Sequence, residues 1–326
     1  MSWEDVLEQA GYRAGSDLLH VPTSGTSDGA PRIVVRTVAS WADSFATFGQ
    51  VAGIEAGDVV LASGPPSSLF VYGRAHAAWV GAQAIAEPRW HPGLVETATV
   101  AHLTPTMLAD VLEVESSALR LAVVAGAALA PALRTRALER GIDVVEYYGA
   151  AELSFVGIGR ESLQPFPEVE IAERDGVIWV RSPWTALGYA GGKSGPLRTD
   201  GSWCTVGDRG DLVDGTLVVH GRDGLVTTGG TSVSTADVEA VLRAAPGVTQ
   251  VCVLGLPHEH LGEILAAVVV GGERTKVEAH CRGSLPREQR PVYWFTADRL
   301  PSTPAGKVSP ADLRVAIAAG EVRRWS

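Results

Sequence analysis

The stretch LRLAVVAGAALAPALRTRALERGIDVVEYYGAAE, Leu119 to Glu152, decides the fold class. It opens on the short apolar run LRLAVVAG, which reads as a buried strand. PALRTRALERG follows, with proline at the expected helix start and glycine at the expected end, Pro131 to Gly141. IDVVEYYG then reads as a second strand. Strand, helix and strand at this spacing imply parallel pairing, because a parallel neighbour needs a crossover long enough to hold a helix.

Working outward, the same texture continues toward the N-terminus. VVLASG, Val59 to Gly64, reads as a buried strand, and the alanine-rich GRAHAAWVGAQA, Gly73 to Ala84, as a helix. After about Ser162 the pattern changes. VEIAERDGVIWVRSP and DLVDGTLVVHGR are β-runs joined by Asp-Gly, the signature of antiparallel hairpins. From Thr235 it changes again. TADVEAVLRAAPGV reads as a helix capped by Thr235, and TQVCVLGLP and EILAAVVVGG as strands. GRDG, Gly221 to Gly224, marks the boundary, giving a large domain over 1–222 and a small α+β domain over 223–326.

Composition narrows the function. The 326 residues are 46% hydrophobic and 20% charged, which suits a soluble globular chain of about two domains at about 150 residues each. A net charge of −10 argues against non-specific binding to nucleic acid or anionic membrane. Leu121 to Leu133, the most apolar stretch, is far short of the roughly 20 residues a membrane span needs. The acidic N-terminus is unlike a signal peptide. Cys204, Cys252 and Cys281 are widely spaced and read as reduced thiols of a cytoplasmic protein.

Five loops carry chemistry. TSGTSDGAPR, Thr23 to Arg32, offers hydroxyls at Thr23, Ser24, Thr26 and Ser27, and at Gly25 and Gly29 a backbone that can approach a ligand closely. Successive amide N–H groups there can form an anion-binding nest, and Arg32 adds positive charge. By itself such a loop is more often a plain surface turn than a phosphate site. YYGAAE (Tyr147 to Glu152), DGSWCTVGD (Asp200 to Asp208), HGRDGLVTTGG (His220 to Gly230) and LPSTPAGK (Leu300 to Lys307) follow in order. Taken together, from about residue 20 to 315, these stretches resemble the adenylate-forming superfamily of acyl-CoA synthetases, peptide-synthetase adenylation domains and luciferases.

The resemblance implies an α/β large domain with a parallel sheet and a β-rich subdomain, then a small mobile C-terminal domain. It implies a role for each matched residue. Thr23 to Arg32 would close over the outer phosphates of ATP. Gly126, Ala127 and Ala128 would flank adenine, Tyr148 would stack on it, and Glu146 would face its amino group. Tyr147, Gly149 and Ala151 belong to the same nucleotide motif. Glu152 would hold Mg²⁺, a hard cation that prefers oxygen. Asp208 would accept from the ribose hydroxyls, and Arg222 would support the ribose and phosphates. Asp223 or Gly224 would be the hinge, and Gly229 and Gly230 would enter the site for the second step. Lys307 would reach the α-phosphate, with Arg32 and Glu152 completing the catalytic set. Phe70, Tyr72, Ala150, Phe155 and Val156 are candidates for the acyl pocket. The implied substrates are ATP, a small or aromatic carboxylic acid, and a thiol, most simply coenzyme A. No nucleophile–base pair is expected, because in-line attack on phosphorus needs positioning and charge neutralisation. His76, His91 and His102 receive no chemical role.

Departures from the family pattern are specific. The phosphate loop carries an extra residue, Asp28, and Arg32 stands for the usual lysine. Ala151 replaces a threonine, Val206 occupies the first position of the usual Thr-Gly-Asp, the hinge loop is one residue short, and Ser67 or Ser68 stands near the family's pocket histidine. Only 22 residues precede the phosphate loop, so most of the first N-terminal subdomain is expected to be missing, with a homodimer or partner protein covering the face left open. Other readings remain: a non-catalytic nucleotide- or partner-binding relic, an enzyme performing only thioesterification of a supplied acyl-adenylate, or transfer to a carrier protein or an amine.

Overall fold

The computed structural model describes residues 2–8, 11–12, 16–22, 32–64, 68–222, 224–228, 231–258, 262–304 and 306–325. Residues 1–126 and 137–219 form one compact unit, and residues 127–136 and 220–326 a second.

In the first unit, the main sheet has the order Gln83–Ile85, Val59–Leu61, Val100–Leu103, Leu121–Val124, Asp143–Ala150, Ser154–Gly159, Gln164–Pro165. Its first five strands are parallel and the last two antiparallel. The crossover helices Ser68–Val80, Pro105–Val111 and Pro131–Glu139 join successive parallel strands. Val100–Leu103 and Leu121–Val124 are buried at every position, as expected for strands in the middle of a parallel sheet. The strand–helix–strand reading of 119–152 is thus found. Elsewhere the boundaries differ. The helix expected over Gly73–Ala84 runs from Ser68 to Val80, because Gly81 takes a φ of +83° and lets the chain turn back into the strand Gln83–Ile85. The strand expected over Val59–Gly64 ends at Leu61.

Both Asp-Gly hairpins form. Glu170–Arg174 pairs with Val177–Arg181 around Asp175 and Gly176, and Asp208–Val213 neighbours Thr216–Arg222 around Asp214 and Gly215. All four turn residues have positive φ, which matches the right-handed twist of the strands they join. These strands form a second sheet with Arg198–Asp200 and Trp203–Thr205. A third, small sheet joins Leu18–Pro22, Ile33–Thr37 and Gly188–Tyr189.

An aromatic cluster fills the core of this unit. Phe48 stacks on Phe155 with centroids 4.9 Å apart, Phe155 stacks on Phe166 at 4.9 Å, and Tyr72 meets Phe155 edge-on at 4.8 Å. His76 lies against Phe48 at 5.0 Å, and His102 is buried beside the same ring. Burial lowers His76 to about 4, a shift slightly offset by a backbone group of Phe45. Burial also lowers His102 to about 3, with His76 adding to the effect.

The second unit is a sheet covered on two faces. Its strand order is Thr231–Ser234, Leu225–Thr228, Gly262–Gly271, Tyr293–Thr296, Arg323–Arg324, and Val248–His258 also pairs with Gly262–Gly271. Alternate residues of Val248–His258 serve separate cores. Val251 and Val253 pack with Val238, Leu242 and Val277, whereas Cys252 and Leu254 pack with Leu300 and Leu313. The helix expected to be capped by Thr235 is Thr235–Arg243, and its cap is Ser234, whose hydroxyl accepts from the Asp237 N–H at 3.2 Å. The three cysteines are free and buried. Among the described residues no helix is long and apolar enough to cross a membrane.

The histidine pair gives a testable pH dependence. Both imidazoles stay neutral in the fold to about pH 4, whereas in the unfolded chain they take up protons below about pH 6.5. Stability should therefore be complete above about pH 6.5 and fall as pH drops toward 4, by up to about 1.4 kcal/mol per pH unit for each histidine. Urea midpoints for the wild type and His102→Gln, measured from pH 7.5 to 4.5, should show a shallower dependence in the variant. Parallel curves would contradict it.

Candidate functional site

The strand Asp143–Ala150 turns through 151–153 into Ser154–Gly159, and the site is built on this reversal. Alternation sends its two tyrosines to opposite faces. Tyr147 packs edge-on against Phe155 at 4.9 Å in the aromatic core, and burial raises its phenol well above the ordinary value. Tyr148 faces the other way, and its hydroxyl donates to Asp208 Oδ2 at 2.8 Å. Asp208 begins the strand Asp208–Val213, so two sheets meet at this hydrogen bond.

Between Tyr148 and Gly149 the pairing with Ser154–Gly159 shifts register. Gly149 permits it: a Cβ there would lie 2.1 Å from the Ser154 carbonyl oxygen. Ser154 itself has a φ of 62°. This tight return brings Glu152 inward, where it is 6% exposed. Its backbone carbonyl accepts the Ala186 N–H at 2.7 Å, and its Oε1 accepts the Tyr189 hydroxyl at 2.9 Å.

Beneath Glu152 lies Arg36, completely buried. Its Nε donates to Ser40 Oγ at 2.8 Å, its Nη1 to the Ala151 carbonyl at 2.9 Å, and its Nη2 to the Trp184 carbonyl. The guanidinium lies over the Trp41 ring, 5.3 Å from its centroid. Burial lowers Arg36 to about 9, against the pull of Tyr72 and Glu152, so it remains a cation at neutral pH.

Arg32, half-buried, directly precedes the strand Ile33–Thr37 and is close enough to Tyr189 to act on its phenol. Glu146 and Ala150 are half-buried on the central strand. Gly126 and Ala127 are exposed and Ala128 half-buried, just past Leu121–Val124. Phe70, Tyr72, Phe155 and Val156, expected at an acyl pocket, are core residues with at most 3% exposure. Arg222 ends the strand Thr216–Arg222, and the Gly224 carbonyl accepts the Thr235 N–H at 2.8 Å. Lys307 is exposed on a tight turn: its N–H donates to Thr303 Oγ1 at 3.3 Å and its carbonyl accepts the Thr303 N–H at 2.7 Å. Thr23, Ser24, Gly25, Thr26, Ser27, Gly29, Asp223, Gly229 and Gly230 lie outside the described residues.

The donor set suits a hard divalent cation held mainly by a substrate. Glu152 is a buried carboxylate with one oxygen engaged by Tyr189, and no trio of side chains able to hold a metal occurs among the described residues. A magnesium ion there would draw its other ligands from phosphates and water.

Comparison with known proteins fits this geometry. Residues 13–190 match the AMP-binding enzyme family and residues 237–307 the AMP-binding enzyme C-terminal domain. The chain belongs to this family of adenylate-forming enzymes. It is 29% identical over 337 residues to the uncharacterized acyl–CoA ligase YhfT of Bacillus subtilis, covering 93% of this chain and 67% of that one. It is 30% identical over 383 residues to the salicyl-AMP ligase / salicyl-S-ArCP synthetase of Mycobacterium tuberculosis, covering 99% and 66%. The match to the 2-succinylbenzoate–CoA ligase of Escherichia coli, 31% over 208 residues, covers 46% of that enzyme. A variant of E. coli MenE with bound OSB-AMS superposes with a TM-score of 0.73 at 27% identity, covering 91% of this chain and 68% of that one. The chain thus spans about two thirds of the length of these full-length relatives, and less of the ligase matched only in part.

Two residues of this arrangement, Arg36 and Tyr189, were not among the sequence candidates. A signal existed for Arg36: in IVVRT it shares a face with buried Val34, and a charged residue on the inner face of a strand needs partners. Tyr189 carries no comparable local signal.

The Gly149 packing can be tested directly. Gly149→Ala drives a methyl group into a backbone oxygen, which cannot move without opening the hairpin. Thermal or urea unfolding should show a loss of about 2 kcal/mol or more. An alanine variant as stable as the wild type would show that the return is not tightly packed.

Proposed function

We propose that this chain activates a carboxylic acid with ATP and passes the acyl group to a thiol, acting as an acid–CoA ligase. The observation that carries this reading is the junction at Tyr148–Glu152, where one strand end joins Tyr148 to Asp208 and buries the Glu152 carboxylate against Tyr189. These are the positions that the resemblance assigns to adenine, ribose and metal.

In the first half-reaction a carboxylate oxygen of the acid attacks the α-phosphorus of ATP. The bond from that phosphorus to the bridging oxygen breaks, releasing pyrophosphate and leaving acyl-adenylate. Both reactants are anions, so the task of the site is to cancel charge and hold an in-line geometry. Arg32 and Lys307 supply side-chain cations. Asp208 and Tyr148 fix the nucleoside, the carboxylate accepting from ribose hydroxyls. Bound Mg²⁺, held by Glu152, would neutralise phosphate charge. In the second half-reaction a thiol sulfur attacks the acyl carbon, the carbon–oxygen bond to AMP breaks, and the thiol proton leaves to solvent.

The relatives support an aromatic acid, since the salicyl-AMP ligase and the 2-succinylbenzoate–CoA ligase are both named for one. The salicyl enzyme is also named for transfer to a carrier protein, which favours a carrier-protein thiol as the second possible acceptor.

A panel of aromatic and small aliphatic acids, assayed for acid-dependent exchange of pyrophosphate into ATP, tests the first half. An aromatic acid should support exchange, and coenzyme A or a carrier protein should then increase AMP release. Lys307→Ala should lose exchange by a factor of about 100 or more while still forming thioester from a supplied acyl-adenylate, since one preorganised charge in such a site is worth that much. Absence of exchange with every acid would favour a relic or a thioesterification-only enzyme, and turnover of synthetic acyl-adenylate with coenzyme A would separate those two.

A further inference from the structure

We propose that Tyr189 is a positioning residue for Glu152, and that its hydroxyl sets which carboxylate oxygen remains open to the metal of the nucleotide complex. The inference rests on the reading of Glu152 as the metal-holding carboxylate.

The geometry is specific. The Tyr189 hydroxyl donates its one proton to Glu152 Oε1 at 2.9 Å and accepts the Leu197 N–H at 3.0 Å. The second contact matters as much as the first. A hydroxyl rotor is free to turn, but an amide N–H pointing at its oxygen directs the proton away from that amide and toward the carboxylate. Oε1 thereby gives one of its lone pairs to the hydroxyl, which makes Oε2 the more available oxygen for a cation.

The backbone around this contact is also fixed. Arg36 binds the carbonyls of Ala151 and Trp184, one residue before Glu152 and five before Tyr189. The Ala186 N–H binds the Glu152 carbonyl at 2.7 Å. Gly188 and Tyr189 pair with Val35 and Val34, in the strand that Arg32 precedes. The carboxylate is therefore tied to the strand leaving the phosphate loop, and Tyr189 is the side-chain part of that tie. Gly195 packs directly against the ring, since a Cβ there would fall 2.1 Å from Tyr189 Cζ. Hydrogen bonds that orient a metal-binding carboxylate typically govern metal affinity by 10- to 100-fold.

The test measures Mn²⁺ binding by electron paramagnetic resonance, in the presence of saturating α,β-methylene-ATP, on the full chain and its Tyr189→Phe, Gly195→Ala and Glu152→Gln variants. Tyr189→Phe removes only the hydroxyl, and Gly195→Ala keeps the hydroxyl but displaces the ring, so the proposal survives the failure of either to fold. Both should weaken Mn²⁺ binding about tenfold and change the Mn²⁺ line shape. In pyrophosphate exchange both should raise the Mg²⁺ concentration for half-maximal rate more than they lower the rate at saturating Mg²⁺. Wild-type Mn²⁺ affinity in Tyr189→Phe, with loss in Glu152→Gln, would overturn the role of Tyr189 and leave that of Glu152 standing. Wild-type affinity in Glu152→Gln would overturn both.

Discussion

One buried cation organises the site. Arg36 has no water to solvate it, and an isolated charge in such a place would be strongly unfavourable. Its planar fork is satisfied instead by the Ser40 hydroxyl and the carbonyls of Ala151 and Trp184. Those acceptors come from segments far apart in sequence. A guanidinium that must find all three fixes the distance between the hairpin carrying Glu152 and the segment carrying Tyr189. Lysine, a point donor on a flexible stem, could not span the same acceptors in one plane.

The rest of the first unit is arranged around that constraint. The parallel sheet brings Asp143–Ala150 to the point where pairing turns antiparallel. There Tyr147 commits to the core and Tyr148 to Asp208, so a single strand joins hydrophobic packing through one tyrosine to a polar contact with the second sheet through the next. The aromatic cluster of Phe48, Phe155 and Phe166 is the rigid base for this arrangement. A site assembled from loops alone would lack such support.

Much of the fold could be read from local patterns. Asp-Gly between alternating runs gave both hairpins, since few residue pairs adopt positive φ so readily. The apolar runs around Leu121 and Val144 gave the parallel strands. Helix edges were less legible. Ser234 and Thr235 are both capping residues, and only the backbone geometry selects the serine. The helix before Gln83 starts earlier than its alanine-rich part, at Ser68. For the site, Tyr148, Glu152 and Asp208 were legible because their motifs are contiguous and ordered. Arg36 and Tyr189 were not among the candidates, as their partners are 115 and 37 residues away. The pocket candidates Phe70, Tyr72, Phe155 and Val156 were placed by adjacency to motifs, and adjacency on a strand or helix does not say which face a side chain takes.

The short reversal at 151–153 also limits how this lineage can change. Both its flanking backbone groups and its buried carboxylate are bound to other segments, so its length cannot drift: one added residue would swap the two faces of the strand that follows. The exposed Asp214–Gly215 turn is under no such restraint. Insertions acquired over evolutionary time should therefore accumulate at the outer hairpins, leaving the reversal as a fixed ruler against which distant homologues can be aligned.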